Sequence, residues 1–170
     1  ELDRANEILN EHLSVARSRE ADFKLQSIND IVISLKPLLR ADAFKVGKEV
    51  QLDLGNVPEI TLDGSEIRQL ILNLCRNGLE AMEDKGQTIR ITTFLDKREV
   101  VLSIRDEGLG IPEKMIGKLG TPFLSTKDKG TGLGLAVCYG IATRHKAIID
   151  VSSSLEGTTF IIKFKINDNS

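Results

Sequence analysis

One junction limits what this chain can fold into more than any other: Gly130-Thr131-Gly132-Leu133-Gly134-Leu135 runs straight into an apolar stretch of helical spacing, residues 136–142. Closely spaced glycines let main-chain N–H groups converge without Cβ obstruction, and a helix start adds a positive dipole end, so the junction suits phosphate. It is not a Walker-type loop, which needs Gly-Lys-Ser/Thr after a strand, because Gly134 is followed by Leu135-Ala136. Two further motifs precede it, Asn73-Leu74-Cys75-Arg76-Asn77 and Asp106-Glu107-Gly108-Leu109-Gly110. Their separations allow all three to build one nucleotide pocket.

Periodicity around these motifs predicts the scaffold. Leu2, Ala5, Leu9, Leu13 and Ala16 alternate three- and four-residue steps, predicting an amphipathic helix over residues 1–21 with a narrow seam suited to a partner helix. Ile28, Ile31, Val32, Leu35, Leu38, Leu39 and Val46 continue helical spacing, with a kink expected at Pro37 and a stop at Gly47. Val50, Leu52 and Leu54 predict a strand and residues 60–62 a second, with Gly55-Asn56 and Pro58 marking the turn between them. Asp63 reads as the N-cap of the next helix, with Glu66 reciprocating, and Ile67, Leu70, Leu74, Gly78 and Ala81 face the core.

Residues 88–95 and 99–105 alternate as a hairpin, and from 108 to 131 the pattern dissolves into Gly, Pro, Lys and Ser, the composition of a functional lid. A helix from 133 to about 144 and strands at 148–152 and 159–166 close the chain. The fold class expected is α+β: a two-layer sandwich of a mixed, mostly antiparallel sheet with helices on one face, preceded by one amphipathic helix.

At 170 residues the chain suffices for one domain and a short appendage. Its lysines and arginines are scattered rather than aligned, which argues against nucleic acid as a partner. Cys75 and Cys138 lie inside apolar helical patterns without zinc spacing, and read as buried, reduced thiols of a reducing compartment. No run reaches the roughly 20 apolar residues of a membrane span and no signal peptide opens the chain. A soluble, cytoplasmic domain without membrane contact of its own is expected.

Asn73, Asn77 and Glu80 project from one helix face, offset from the core stripe, and polar oxygens so presented can hold an octahedral Mg²⁺ that keeps waters and bridges phosphates. Asp106 follows a strand and precedes Gly108 and Gly110. A carboxylate there can accept from an exocyclic amine while the glycines let a flat base approach, which favours adenine over guanine.

These segments, with Thr121-Pro122-Phe123-Leu124-Ser125-Thr126-Lys127 between the last two, resemble the catalytic ATP-binding domain of bacterial sensor histidine kinases, within the Bergerat-fold ATPases that include gyrase, Hsp90 and MutL. Residues 73–82 look like the family's Asn box, 106–112 its first Gly box, 122–127 its Phe box and 130–135 its second Gly box; Gly157-Thr158 is similar to the segment beneath the adenine. The resemblance implies ATP and Mg²⁺ as cofactors. By it, Asn77 ligates the metal, Asn73 supports metal or phosphates, Asp106 reads the adenine amine with Thr158 assisting, and Gly108 and Gly110 admit the base. The segment Gly130, Thr131, Gly132, Leu133, Gly134 and Leu135 holds the phosphates, Lys127 reaches the γ-phosphate, and Phe123 pins the lid in an apolar site.

Gyrase-like and Hsp90-like relatives carry Glu where Asn73 stands; an amide cannot remove a proton, so transfer to a neutral imidazole is favoured over ATP hydrolysis. Of the two histidines, His12 is followed by Leu13 rather than by the acid of a His-Glu or His-Asp phosphoacceptor, and His145 reads as a C-terminal helix cap. Residues 1–22 resemble the second helix of the dimerisation hairpin of sporulation-type kinases, and residues 23–170 form the catalytic domain with its lid at about 108–131. The expected partners are ATP, a phosphoacceptor dimerisation helix absent from this chain, and a response-regulator receiver domain. The alternatives are a nucleotide-binding regulatory module without catalysis and a gyrase/Hsp90-like ATPase. Lys146 stands where the family often has Gly, as does Glu156.

Overall fold

The computed structural model describes residues 20–125 and 131–166. The expected helix at 1–21, with His12, therefore falls almost wholly outside the described residues. Strand β1 (Phe23–Gln26) leads into helix α1 (Ile28–Lys45), then β2 (Glu49–Leu54), β3 (Ile60–Asp63) and α2 (Gly64–Ala81). The hairpin β4 (Thr88–Asp96) and β5 (Glu99–Arg105) precedes a short helix α3 (Glu113–Ile116), helix α4 (Gly134–Arg144) and strands β6 (Ile148–Ser154) and β7 (Gly157–Lys165).

Five strands form one sheet in the order β2-β4-β5-β7-β6, with β2 and β4 parallel and the other pairs antiparallel. This is the mixed, mostly antiparallel sheet of the expected α+β sandwich. Register aligns Ile91, Ile104, Phe160 and Val151 in one cross-strand row, and Thr93, Leu102, Ile162 and Ile149 in the next. These rows carry the core face. Ile28, Val32, Leu35 and Leu39 of α1, Ile67, Leu70, Ile71 and Leu74 of α2, and Ile141 of α4 lie buried against it. Each such side chain contributes about 1.5–3 kcal/mol on leaving water.

The structure departs from the sequence expectations at several places. The segments 50–54 and 60–62 are strands but not partners: β2 runs parallel to β4, while β3 pairs antiparallel with β1 in a separate two-stranded sheet. Strand β1 was not foreseen, since Phe23 and Leu25 are exposed and its four residues carry no buried alternation. Helix α1 runs unbroken through Pro37, which lies on its exposed side, so the carbonyl left without an intrahelical donor belongs to exposed Ile33.

Asp63 caps α2 as expected, its Oδ1 accepting from the Ser65 and Glu66 N–H groups at 2.9 and 3.1 Å. Glu66 does not reciprocate. The Asp63 N–H donates instead to His145 Nε2 at 3.0 Å, and Glu66 Oε1 takes Arg144 Nε at 2.7 Å. Among the described residues no helix is long and apolar enough to cross a membrane.

Candidate functional site

Helix α2 has two working faces. Ile67, Leu70, Ile71 and Leu74 enter the core, whereas Asn73, Arg76, Asn77 and Glu80 line a cavity of about 310 Å³. Asn73 Nδ2 donates to the Gly134 carbonyl at 3.3 Å, and the Cys138 thiol donates to the Leu70 carbonyl at 3.8 Å, tying α2 to the first turns of α4. A Cβ on Gly134 would lie 4.0 Å from Asn77 Oδ1, so Asn77 faces the start of α4 across the cavity.

At the other end stands Asp106, buried at the close of β5. Its Oδ1 accepts from the Gly108 and Thr158 N–H groups at 2.9 and 3.2 Å, so two main-chain donors help orient the carboxylate. Gly157, at φ +130°, passes so close that a Cβ there would meet the Asp106 carbonyl at 2.0 Å, a backbone approach open to glycine only. Beside it the Thr158 and Ser153 hydroxyls lie 2.9 Å apart, and Ser153 Oγ accepts the Ile111 N–H at 2.7 Å. This chain of bonds links the carboxylate's surroundings to the first residues of the lid.

Helix α4 opens at Gly134 with Leu133 in the N-cap position and no side-chain cap. No side-chain cap takes its first amides, which lie at the dipole's positive end where Gly134 and Leu135 line the cavity. Gly132 makes the turn into it at φ +68°, with the Phe123 carbonyl carbon 2.6 Å from where a Cβ would be.

Of the sequence-predicted residues, Asn73, Asn77, Asp106, Gly110, Thr131, Gly132, Gly134, Leu135 and Thr158 surround this one cavity. Gly108 and Leu133 stand behind it. The Gly108 N–H is spent on Asp106, and Leu133 O accepts the Val137 N–H as the helix begins. Lys127 and Gly130 lie outside the described residues.

Phe123 corrects an expectation: it is 56% exposed, at φ +64°, and occupies no apolar site, while Leu124 lines the cavity in its place. Phe160, Ile111, Met115 and Leu119 also line it and were not anticipated. A signal existed for each, since Phe160 shares the face of Thr158 at strand period two and Ile111, Met115 and Leu119 recur every four residues.

Cys75 and Cys138 are free and buried, as expected, and burial pushes both thiols up to about 12. Neither is a thiolate nucleophile. No cluster of three His, Cys, Asp or Glu among the described residues could hold a metal. A divalent cation here would rest on Asn77 and on oxygens brought by the ligand, the manner in which Mg²⁺ binds beside phosphates.

A family model described as histidine kinase-, DNA gyrase B-, and HSP90-like ATPase matches residues 62–168. Sporulation kinase E of Bacillus subtilis (strain 168) is 34% identical over 99% of this chain and 23% of its own length. For Sporulation kinase A of the same organism the figures are 36%, 96% and 27%, and for the sensor histidine kinase ZraS of Escherichia coli (strain K12) 31%, 98% and 36%. The chain spans well under half the length of these curated relatives. Among solved structures, the nucleotide-free catalytic domain of histidine kinase ThkA superposes with a TM-score of 0.76 at 28% identity, over 85% of this chain and 95% of that one. The chain therefore belongs to the histidine kinase-, DNA gyrase B- and HSP90-like ATPase family, and within it is an ATP-binding catalytic domain of the sensor histidine kinase type.

Proposed function

We propose that this domain binds Mg·ATP in the cavity between α2, α4 and the lid, and transfers the γ-phosphoryl group to a histidine on a dimerisation helix. The observation that carries this reading is Asn73. At the position where hydrolytic relatives have a carboxylate, this chain has an amide whose NH₂ is engaged by the Gly134 carbonyl. It cannot strip a proton from water. A neutral imidazole needs no such base, because its free nitrogen lone pair attacks phosphorus while ADP leaves.

The acceptor is not His145. Its side chain is fully buried, Nε2 accepts from the Asp63 N–H and Nδ1 donates to the Ile141 carbonyl at 2.8 Å. Asp106 reads the adenine amine with Thr158 beside it, Gly110 admits the base, the first turn of α4 with Thr131, Gly132 and Leu135 cradles the phosphates, and Asn77 holds Mg²⁺. Lys127, with Gly130 at the foot of the lid, contributes from the lid. A histidine kinase, ThkA, is known in complex with the response regulator TrrA, and over 98% of the present chain that complex's kinase has a TM-score of 0.78 at 26% identity. A receiver domain is accordingly the second protein partner proposed, in the cytoplasm, where buried thiols stay reduced.

Mixing the domain with Mg·ATP and a separate dimerisation fragment bearing its histidine should label that fragment. ATP binding without transfer overturns the kinase reading in favour of a regulatory module, and steady phosphate release without the fragment favours an ATPase. Asp106→Asn should weaken ATP by about 10- to 100-fold, the worth of a charged hydrogen bond, and erase preference over GTP. Equal affinity for ATP and GTP in the unmodified domain rejects adenine reading.

A further inference from the structure

Glu80 and Asp106 both line the cavity wall, and a nucleotide brings three or more further negative charges. Among the described residues the single Lys or Arg in the lining is Arg76. It sits on α2 one turn beyond Asn73 and next to Asn77, toward the end of the cavity where Gly134 and the uncapped start of α4 lie.

Arg76 is held sideways. Its Nε donates to Asp42 Oδ2 of α1 at 3.2 Å, an exposed bond with the arginine side chain 53% accessible. Asp42 Oδ1 also has Lys45 Nζ at 3.7 Å, so the carboxylate keeps a counter-charge if the arginine turns away. A guanidinium is a planar fork of five donors, and phosphate oxygens match it better than a lone carboxylate oxygen on Nε.

We propose that Arg76 is a polyphosphate-binding residue of this site, and that Asp42 competes with the nucleotide for it, so that α1 tunes ATP affinity through one exchangeable ion pair. The inference rests on the ATP-binding reading above. In the nucleotide-free state the guanidinium lies on Asp42; with a di- or triphosphate in the cavity it swings onto phosphate oxygens and leaves Asp42 to Lys45.

Titrations of ATP and of adenosine into the unmodified chain and three variants test this. Arg76→Gln should weaken ATP about tenfold or more and leave adenosine within twofold, since adenosine carries no phosphate. Arg76→Lys should recover part of the loss. Asp42→Asn should tighten ATP by about two- to fivefold, the range of an exposed pair, and that gain should vanish in the Asp42→Asn/Arg76→Gln double variant. Three results overturn the proposal: Arg76→Gln weakening ATP and adenosine equally, Arg76→Gln changing neither, or Asp42→Asn leaving ATP unchanged or weaker. If the unmodified chain binds no ATP, the ATP-binding reading itself fails; if it binds and Arg76→Gln is indifferent, only this inference does.

Discussion

Glu107 and Asp106 are neighbours with opposite assignments. Asp106 turns inward to the cavity, while Glu107 turns out and its Oε2 accepts the Gln87 and Thr88 N–H groups at 2.8 and 3.1 Å, pinning the first Gly-box turn to the start of β4. Those two amides, the Gln87 one foremost, hold the Glu107 carboxyl below its ordinary value. The folded value lies under the unfolded one of about 4.3, so the contribution is complete above that pH and fades as pH falls through the folded value. Because the group is largely solvated, its worth is roughly a few tenths of a kcal/mol. Denaturation of the unmodified chain and Glu107→Gln should therefore differ by that constant amount from pH 5 to 7 and converge toward pH 3; a gap that persists at pH 3 refutes the electrostatic account. Asn73, Asn77, Asp106 and the glycines were legible in the sequence because the chemistry demands those residue types at short spacing. Glu107, Ser153 and Arg76 were less so, since each works through a partner about 20 to 40 residues away.

Helices α1 and α4 end in the same way with different residues. After α1, the Gly47 N–H bonds the Phe44 carbonyl and the Lys48 N–H the Ala43 carbonyl, with Gly47 at φ +69°. After α4, the Lys146 N–H bonds Thr143 and the Ala147 N–H bonds Ala142, with Lys146 at φ +51°. Both are Schellman closures, and a lysine in the left-handed region costs about 1 kcal/mol that glycine does not. Lys146→Gly should stabilise the domain by about 0.5–1 kcal/mol, and Gly47→Ala should cost about as much, both read as shifts of the urea midpoint at constant slope. A destabilised Lys146→Gly would mean that the lysine side chain supplies more than its backbone strain removes. At this scale a glycine announces a helix end by itself, as at Gly47, whereas the end near residue 144 was readable from the helical period and His145 rather than from Lys146. The pairing of β3 with β1 was hidden for a related reason: β3 alternates and is buried, but its partner β1 is a four-residue strand of exposed residues with no alternation to read.

Across the whole molecule, α2 and α4 lie antiparallel and are joined at both ends. Asn73 meets Gly134 at the cavity, and about ten residues up α2, some 15 Å along its axis, His145 closes the other end. Its bonds require a neutral ring protonated on Nδ1, since Nε2 receives an N–H and Nδ1 faces a carbonyl. The Phe23 ring of β1 packs 4.9 Å away and Phe164 of β7 6.3 Å, so one side chain ties β1, β3, α2, α4 and the sheet together. The sequence placed this histidine at a helix end; the bond to Asp63, 82 residues distant, is visible only in the fold. Truncation in His145→Ala leaves the Asp63 N–H buried without its acceptor and opens a void beside two aromatic rings. The Ile141 carbonyl keeps the His145 main-chain N–H, while buried Glu66 Oε2 loses the ring nitrogen 3.6 Å away. The expected cost is about 2–4 kcal/mol, a fall in Tm of roughly 2–4 °C for each kcal/mol, with His145→Gln losing less because its amide oxygen can replace Nε2. Nucleotide affinity measured well below that Tm should stay within twofold, because the clasp and the cavity sit at opposite ends of a rigid helix pair. A tenfold loss of ATP affinity in His145→Ala would show that the start of α4 is held in place from its far end rather than by Asn73.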